Sequence, residues 1–166
     1  MSSVAFVTVG STGFDNLIAE VSKVEFTQEL ENLGYSTLLV QYGSSSHAFT
    51  KPLSNSNVTV YGFDYKSSLL PDLEKAQLVI SHAGSGSIIE ALRLGKPLIV
   101  VVNDTLMNNH QLELASKLDS EGYLVYTTAS ELLTCLRSCK HKKLKPFPKP
   151  NSSIFARLID AEMGFS

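Results

Sequence analysis

The sequence has no tryptophan, two cysteines among 166 residues and almost no excess of charge of either sign. Its 14 Lys and Arg against 16 Asp and Glu give a net charge of -2, which argues against a nucleic-acid binder held by a whole-surface field. No apolar run approaches the ~20 residues that span a bilayer, and the N-terminus lacks a signal-peptide pattern. We therefore expect a soluble chain without a transmembrane segment, on which any anion site is local.

The cysteines, Cys135 and Cys139, stand four residues apart in a segment with a helical pattern. We expect them to share a helix face as two reduced thiols, since the region offers too few ligands for a metal site. An Asp-x-Asp element for a metal-bound nucleotide is also missing. We therefore predict that function requires no metal and no cofactor. The remaining composition, with 43% apolar residues, fits one domain with its own hydrophobic core.

Short β-branched runs alternate with helical patterns along the chain, separated by turn residues. The predicted strands are Val4–Val9, Ser36–Gln41, Asn57–Phe63, Leu78–Ser81, Pro97–Val102 and Tyr123–Tyr126. The predicted helices are a broken one over Phe14–Leu33, then Ser67–Ala76, Ser87–Leu94, Asn108–Leu118 and Ser130–Lys140. The run 97–102 is apolar on both faces, which is typical of a strand in a parallel sheet covered on both sides. These patterns predict an α/β fold with a Rossmann-like, doubly wound parallel sheet.

Ligands of such sheets bind at the carboxyl ends of the strands. Three predicted loops follow strands at that edge: 10–13, 81–87 and 103–111. The strongest chemical signal is the second loop, 81–87, which leaves a strand and opens a helix. Backbone N–H groups and small hydroxyls at a helix N-terminus suit a phosphate. The alternative is a tight turn whose glycines only permit the bend. The loop matches neither the dinucleotide fingerprint nor the hydrolase elbow.

Glu90 has two interpretations. Its spacing from Ser87 is that of a capping box, in which Glu90 would bond back to the Ser87 backbone. Alternatively, its carboxylate accepts hydrogen bonds from a ribose diol. Spacing alone favours the cap.

The third loop, 103–111, crowds amide and carboxylate side chains that could bind several sugar hydroxyls. It could equally be an ordinary polar loop with Asn108 or Asn109 as a helix N-cap. His82 and His110 could flank a diphosphate, although single histidines at such positions are more often structural.

The block 81–111 resembles the donor-binding half of two-domain glycosyltransferases of the GT-B type. More closely, it resembles the small catalytic subunits of the eukaryotic transferase that adds the second N-acetylglucosamine (GlcNAc) to dolichol-diphosphate-linked GlcNAc. The segments 6–12, 38–43, 62–64 and 144–148 extend this likeness over nearly the whole chain. A related bacterial domain is the carboxyl-terminal one of the MurG-type peptidoglycan transferase. The implied fold is the C-terminal, donor-binding half of a GT-B enzyme.

The resemblance also implies binding residues for UDP-GlcNAc. The first glycine loop would lie beside the diphosphate, the backbone near Phe63 would hold the uracil, and Glu90 would bind the ribose, in place of capping. The second loop would bind the diphosphate, and polar residues at the start of the next helix would contact the sugar. The first loop is Gly10, Ser11, Thr12 and Gly13; the second is His82, Ala83, Gly84, Ser85, Gly86 and Ser87; the sugar-binding residues are Asn109, His110 and Gln111.

The family further implies a heterodimer, because the acceptor-binding half would be a separate membrane-anchored subunit at the cytosolic face of the endoplasmic reticulum. We expect a UDP-sugar-binding domain at 1–140, a basic Pro-containing linker at 141–151 and an amphipathic helix at 152–166. That helix docks on the partner or packs on its own sheet. The resemblance implies a metal-independent, inverting transfer to the dolichol-linked acceptor, with the general base on the partner. A non-catalytic nucleotide-sugar sensor or scaffold and an NAD-binding oxidoreductase are the alternatives.

Overall fold

The computed structural model describes residues 2–53, 55–103, 109–139, 142–149, 153, 156 and 157. Within them, strands and helices alternate as the sequence predicts. The strands are β1 Val4–Thr8, β2 Thr37–Gln41, β3 Thr59–Phe63, β4 Leu78–His82, β5 Leu98–Val102 and β6 Val125–Thr128. The helices are α1 Asp15–Val21, α2 Val24–Asn32, α3 Leu70–Lys75, α4 Ser85–Arg93, α5 Asn109–Ser120 and α6 Leu132–Cys139, with a short 3₁₀ turn at Ser46–Ala48.

The described strands form one parallel sheet in the order β3-β2-β1-β4-β5-β6. This order reverses direction between β1 and β4, so the predicted Rossmann-like doubly wound sheet is confirmed. The first and second glycine loops follow these two strands. The fold therefore brings the two loops to the position where doubly wound sheets bind ligands.

Both faces of the sheet are buried, as the apolar strand 97–102 predicts. All five residues of β5 are buried, and they alternate between two cores. Ile99 and Val101 pack with the core that includes α1, α2 and α6, whereas Val100 packs with the core that includes α3, α4 and α5. Covering both faces in this way requires the continuous apolar run that the sequence carries.

Several predicted boundaries are wrong by a few residues. Strand β6 begins at Val125, not at Tyr123, because the Tyr123 N–H donates to the Leu118 carbonyl in the turn that ends α5. The broken helical pattern over 14–33, by contrast, is confirmed as two helices separated at Ser22 and Lys23. The helix after β4 begins at Ser85, not at Ser87, with Gly84 as its N-cap. Ser87 is therefore inside the helix, and its predicted capping box with Glu90 does not form.

Other expectations lie partly or wholly outside the described residues. They include Asn108 as a helix N-cap, the loop segment 104–108, the side chain of Asn109 and most of the predicted helix 152–166. Cys135 and Cys139 do lie together on α6, both half-buried and free. In the described chain, no helix combines the length and the apolar character that crossing a bilayer requires.

Candidate functional site

The imidazole of His82 lies between the first and second glycine loops. A Cβ atom added to Gly10 would stand 2.9 Å from both Cε1 and Nε2 of His82, and one added to Gly84 would overlap Nε2. Gly10 also has a φ of +71°, a backbone conformation that other residues rarely adopt. Both glycines are therefore required for the two loops to approach each other across this ring.

The His82 side chain is partly buried. Removal from solvent lowers the pKa of His82, and the nearby Thr8 backbone opposes this shift only in part. Among the described residues, the buried Nδ1 has no hydrogen-bond partner. A lowered pKa leaves the ring uncharged at neutral pH, so His82 itself adds no positive charge to this edge.

The N-terminus of α4 is open to an anion. Its N-cap, Gly84, has no side-chain oxygen, and the structure has no side-chain hydrogen bond at the cap. The first turn contains Ser85, Gly86 and Ser87, of which Gly86 is exposed and the serines are partly exposed. A Cβ on Gly86 would meet nothing within 4 Å. The first N–H groups of a helix have no intrahelical acceptor, so this turn can bind a phosphate through its backbone.

Hydrogen bonds from neighbouring strand ends shape the first glycine loop. The hydroxyl of Ser44 donates to the Thr12 carbonyl at 2.6 Å, and the Phe14 N–H donates to Ser45 Oγ at 2.8 Å. Gly13 has a φ of +77°, and a Cβ there would stand 2.5 Å from Ser44 Oγ. The Ser-rich turn after β2 therefore fixes the path of the loop, and Gly13 makes the close approach possible.

Two further side chains at this edge, which the sequence analysis does not single out, hold the first loop. Gln41, at the end of β2, is 2% exposed and hydrogen-bonds the backbone of Gly10 on both sides. Tyr65 follows β3, and its hydroxyl donates to the Ser11 carbonyl at 3.0 Å. A buried amide that ends an otherwise apolar strand is the sequence signal for Gln41. Tyr65 has no comparable signal.

Phe63 ends β3, and its ring contacts one aromatic and one basic side chain. Its ring stacks on Phe6 with centroids 6.5 Å apart and planes 10° from parallel. Lys66 Nζ stands 4.0 Å from the Phe63 ring centroid and 3.0 Å from both carboxylate oxygens of Asp72. These contacts hold the Phe63 side chain at the end of β3, which is separated from β4 by β2 and β1.

The remaining predicted site residues lie on α4 and α5. Glu90 is exposed on α4, where it takes no part in capping. His110, in the first turn of α5, is exposed, and Gln111 is partly buried. In the part of the chain that the structure describes, no three His, Cys, Asp or Glu side chains are grouped closely enough to hold a metal ion.

Comparison with known proteins supports the resemblance seen in the sequence. The family model "Glycosyltransferase family 28 C-terminal domain" matches residues 4–162. The chain is 36% identical over 166 residues to the UDP-N-acetylglucosamine transferase subunit ALG13 of Yarrowia lipolytica, covering 98% of this chain and 85% of that protein. It is 52% identical over 130 residues to the human protein of the same name, covering 78% of this chain but only 11% of the human protein.

Solved structures agree with these relationships. An NMR solution structure of ALG13 has 35% identity and a TM-score of 0.74, covering 99% of this chain and 98% of that one. The crystal structure of MurG from Acinetobacter baumannii has 18% identity and a TM-score of 0.65, covering 83% of this chain and 41% of that one, and it supports the fold. The chain belongs to the glycosyltransferase family 28 C-terminal domain family, among the ALG13-type UDP-N-acetylglucosamine transferase subunits.

Proposed function

We propose that this chain is the donor-binding subunit of the transferase that moves GlcNAc from UDP-GlcNAc to dolichol-diphosphate-linked GlcNAc. The observation that carries the proposal is the uncapped N-terminus of α4, which adjoins the first glycine loop across His82 at the switch point of the sheet. Such a position combines oriented N–H groups with the positive end of a helix dipole. It suits the diphosphate of a nucleotide sugar.

The other donor groups have candidate partners around this point. The backbone that follows Phe63 is proposed to hold the uracil, and the exposed carboxylate of Glu90 to accept hydrogen bonds from the ribose hydroxyls. Asn109, His110 and Gln111 are proposed to bind the sugar. Because Gly84, not Ser87, is the N-cap of α4, the capping-box explanation for Glu90 no longer holds, which supports its assignment to the ribose.

The proposed reaction is an inverting displacement. The acceptor hydroxyl attacks the anomeric carbon, the bond to the UDP oxygen breaks, and the negative charge passes to the departing diphosphate. The N–H groups of α4 and the first loop stabilise that charge as it develops. Because this stabilisation needs no divalent cation, we expect transfer to persist in excess EDTA.

A second subunit completes the proposed enzyme. The described residues form one Rossmann-like unit with one ligand-binding edge, and the relatives are themselves called subunits. The chain spans about a tenth of the human and mouse relatives and most of the yeast ones, so activity and partners are assigned to it here by proposal. We propose a membrane-anchored partner on the cytosolic face of the endoplasmic reticulum that binds the lipid acceptor and supplies the general base.

Reconstitution tests the proposal. The chain would be assayed alone and together with the acceptor subunit for UDP-GlcNAc-dependent transfer to a dolichol-diphosphate-GlcNAc analogue. We expect UDP binding by the chain alone and transfer only by the pair. Binding of UDP without transfer by the pair would favour a nucleotide-sugar sensor or scaffold. Full turnover by the chain alone would contradict the division of labour between subunits.

A further inference from the structure

The side chain of Gln41 uses its whole hydrogen-bonding capacity at the carboxyl edge of the sheet. It is 2% exposed, so none of its hydrogen bonds is weakened by competition with bulk water. Its Oε1 accepts from Thr8 Oγ1 at 2.7 Å and from the N–H groups of Val9 and Gly10 at 3.0 Å, and its Nε2 donates to the carbonyls of Gly10 at 3.0 Å and Asp64 at 2.8 Å.

These partners belong to two separate parts of the proposed donor site. Gly10 opens the first glycine loop, where the diphosphate is proposed to bind. Asp64 follows Phe63, where the uracil is proposed to bind. The two segments leave β1 and β3, which flank β2 and do not pair with each other. Gln41 stands at the end of β2 and is bonded directly to both.

The chemistry of these contacts requires a primary amide. Two backbone carbonyls need donors, while two backbone N–H groups and the Thr8 hydroxyl need an acceptor. Glutamine supplies both from one planar group, whereas an ionised glutamate can only accept. Space is also limited, because a Cβ added to the neighbouring Gly43 would stand 2.6 Å from the Gly10 carbonyl oxygen.

We infer that Gln41 is a positioning residue that holds the diphosphate loop and the uracil segment at a fixed separation, so that one nucleotide engages both. The inference rests on the proposed function. A role in packing alone would affect all ligands alike, whereas a fixed separation between the two segments matters only to a ligand that contacts both. A ligand that contacts one segment gains nothing from the link. Loss of the link therefore weakens UDP selectively, as expected when two contacts no longer act together.

The test compares ligands that span both segments with ligands that do not. The full chain, as wild type and as Gln41→Met, would be titrated by NMR with UDP, with uridine and with inorganic pyrophosphate. The methionine variant removes the amide and adds no charge beside the proposed diphosphate position. We expect Gln41→Met to raise the Kd for UDP about tenfold or more, on the scale of a lost buried hydrogen bond. The Kd values for uridine and pyrophosphate should change by less than about threefold. Gln28→Met, the same change at an exposed position of α2, should leave all three unchanged.

Equal weakening of the three ligands, or an unchanged Kd for UDP, would overturn the inference. If Gln41→Met does not fold, Thr8→Val removes one donor to the amide and keeps the side-chain shape. This variant should also raise the Kd for UDP more than the Kd values for uridine and pyrophosphate, by a smaller factor. An equal rise in all three Kd values would again overturn the inference. Wild-type chain that fails to bind UDP rejects the proposed function and this inference together. Wild-type binding without a selective loss in the variants rejects the inference alone.

Discussion

The hydroxyl of Tyr65 donates a hydrogen bond to the carbonyl oxygen of Ser11 at 3.0 Å, which joins the segment after β3 to the tip of the first glycine loop. Tyr65 is 52% exposed, so the bond adds little to the stability of the fold. The carbonyl belongs to a loop that the proposed function places beside the donor diphosphate. The hydrogen bond from Tyr65 should therefore affect donor binding more than the stability of the fold.

Tyr65→Phe removes only this hydrogen bond. We expect the KM for UDP-GlcNAc to rise about two- to fivefold with kcat unchanged, and the free energy of unfolding to fall by about 0.5 kcal/mol. Steady-state assays of the reconstituted pair and denaturant unfolding measure the two effects. A fall in kcat at constant KM would contradict a role confined to holding the loop.

Gly84 and Gly86 provide a matched pair of alanine substitutions in one loop. A methyl group at Gly84 overlaps Nε2 of the partly buried His82 ring, whereas one at Gly86 meets nothing within 4 Å. We expect Gly84→Ala to lower the free energy of unfolding by about 1–3 kcal/mol, as overpacking does. Gly86→Ala should retain or slightly raise stability, because alanine favours the helix.

UDP titration of the same pair tests the site. If a phosphate approaches the first turn of α4, the added methyl of Gly86→Ala stands at the ligand surface and should weaken UDP binding even though the fold is intact. Unchanged UDP affinity in Gly86→Ala would move the diphosphate away from this turn.

Glu90→Ala separates the two interpretations of that residue. Because Gly84 and not Ser87 caps α4, removing the carboxylate should cost less than about 0.5 kcal/mol of stability, as at other exposed sites. The ribose interpretation predicts a loss of transfer of about tenfold or more, since hydrogen bonds to a charged group are lost. Thermal unfolding and transfer assays on one preparation measure both. A variant with normal transfer would remove Glu90 from the donor site.

The sequence predicts those parts of the fold and the candidate site that depend on interactions between residues close together along the chain. Strand β5 and the glycine loops are evident in the sequence, because apolar runs and turn residues report the immediate environment of the backbone. The predicted start of α4 at Ser87 is wrong by two residues, since serine is a better N-cap by type than the glycine that caps the helix. The roles of Gln41 and Tyr65 depend on partners 31 and 54 residues away, which no local pattern contains.

The partly buried His82 ring predicts a pH dependence of stability. Its folded-state pKa is lowered by burial, so between that value and the unfolded pKa of about 6.5 the unfolded chain binds more protons. The contribution of neutral His82 to the free energy of unfolding is complete above about pH 6.5. It is lost as the pH falls toward the folded-state pKa of His82. Urea unfolding at a series of pH values should show this decline for wild type. His82→Gln should reduce it.

The last prediction concerns the basic linker, whose described part lies against the domain. The Lys145 N–H donates to the Gly122 carbonyl at 2.8 Å, and the Phe147 ring meets Tyr123 edge-on with centroids 5.4 Å apart. Phe147→Ala should therefore lower the free energy of unfolding by about 1–2 kcal/mol. Removal of residues 150–166, beyond these contacts, should change stability by less than about 0.5 kcal/mol and leave UDP binding intact.

The same truncation should abolish co-purification with the acceptor subunit if the apolar positions 154, 155, 158, 159 and 163 dock on that partner. A pull-down with the full chain and the truncated chain measures this, and retained binding would place the interface elsewhere. A drop in stability of several kcal/mol on truncation would instead show that the segment packs on its own sheet. Because the Phe147 contact anchors the linker in both chains, a difference between them can be assigned to residues 150–166.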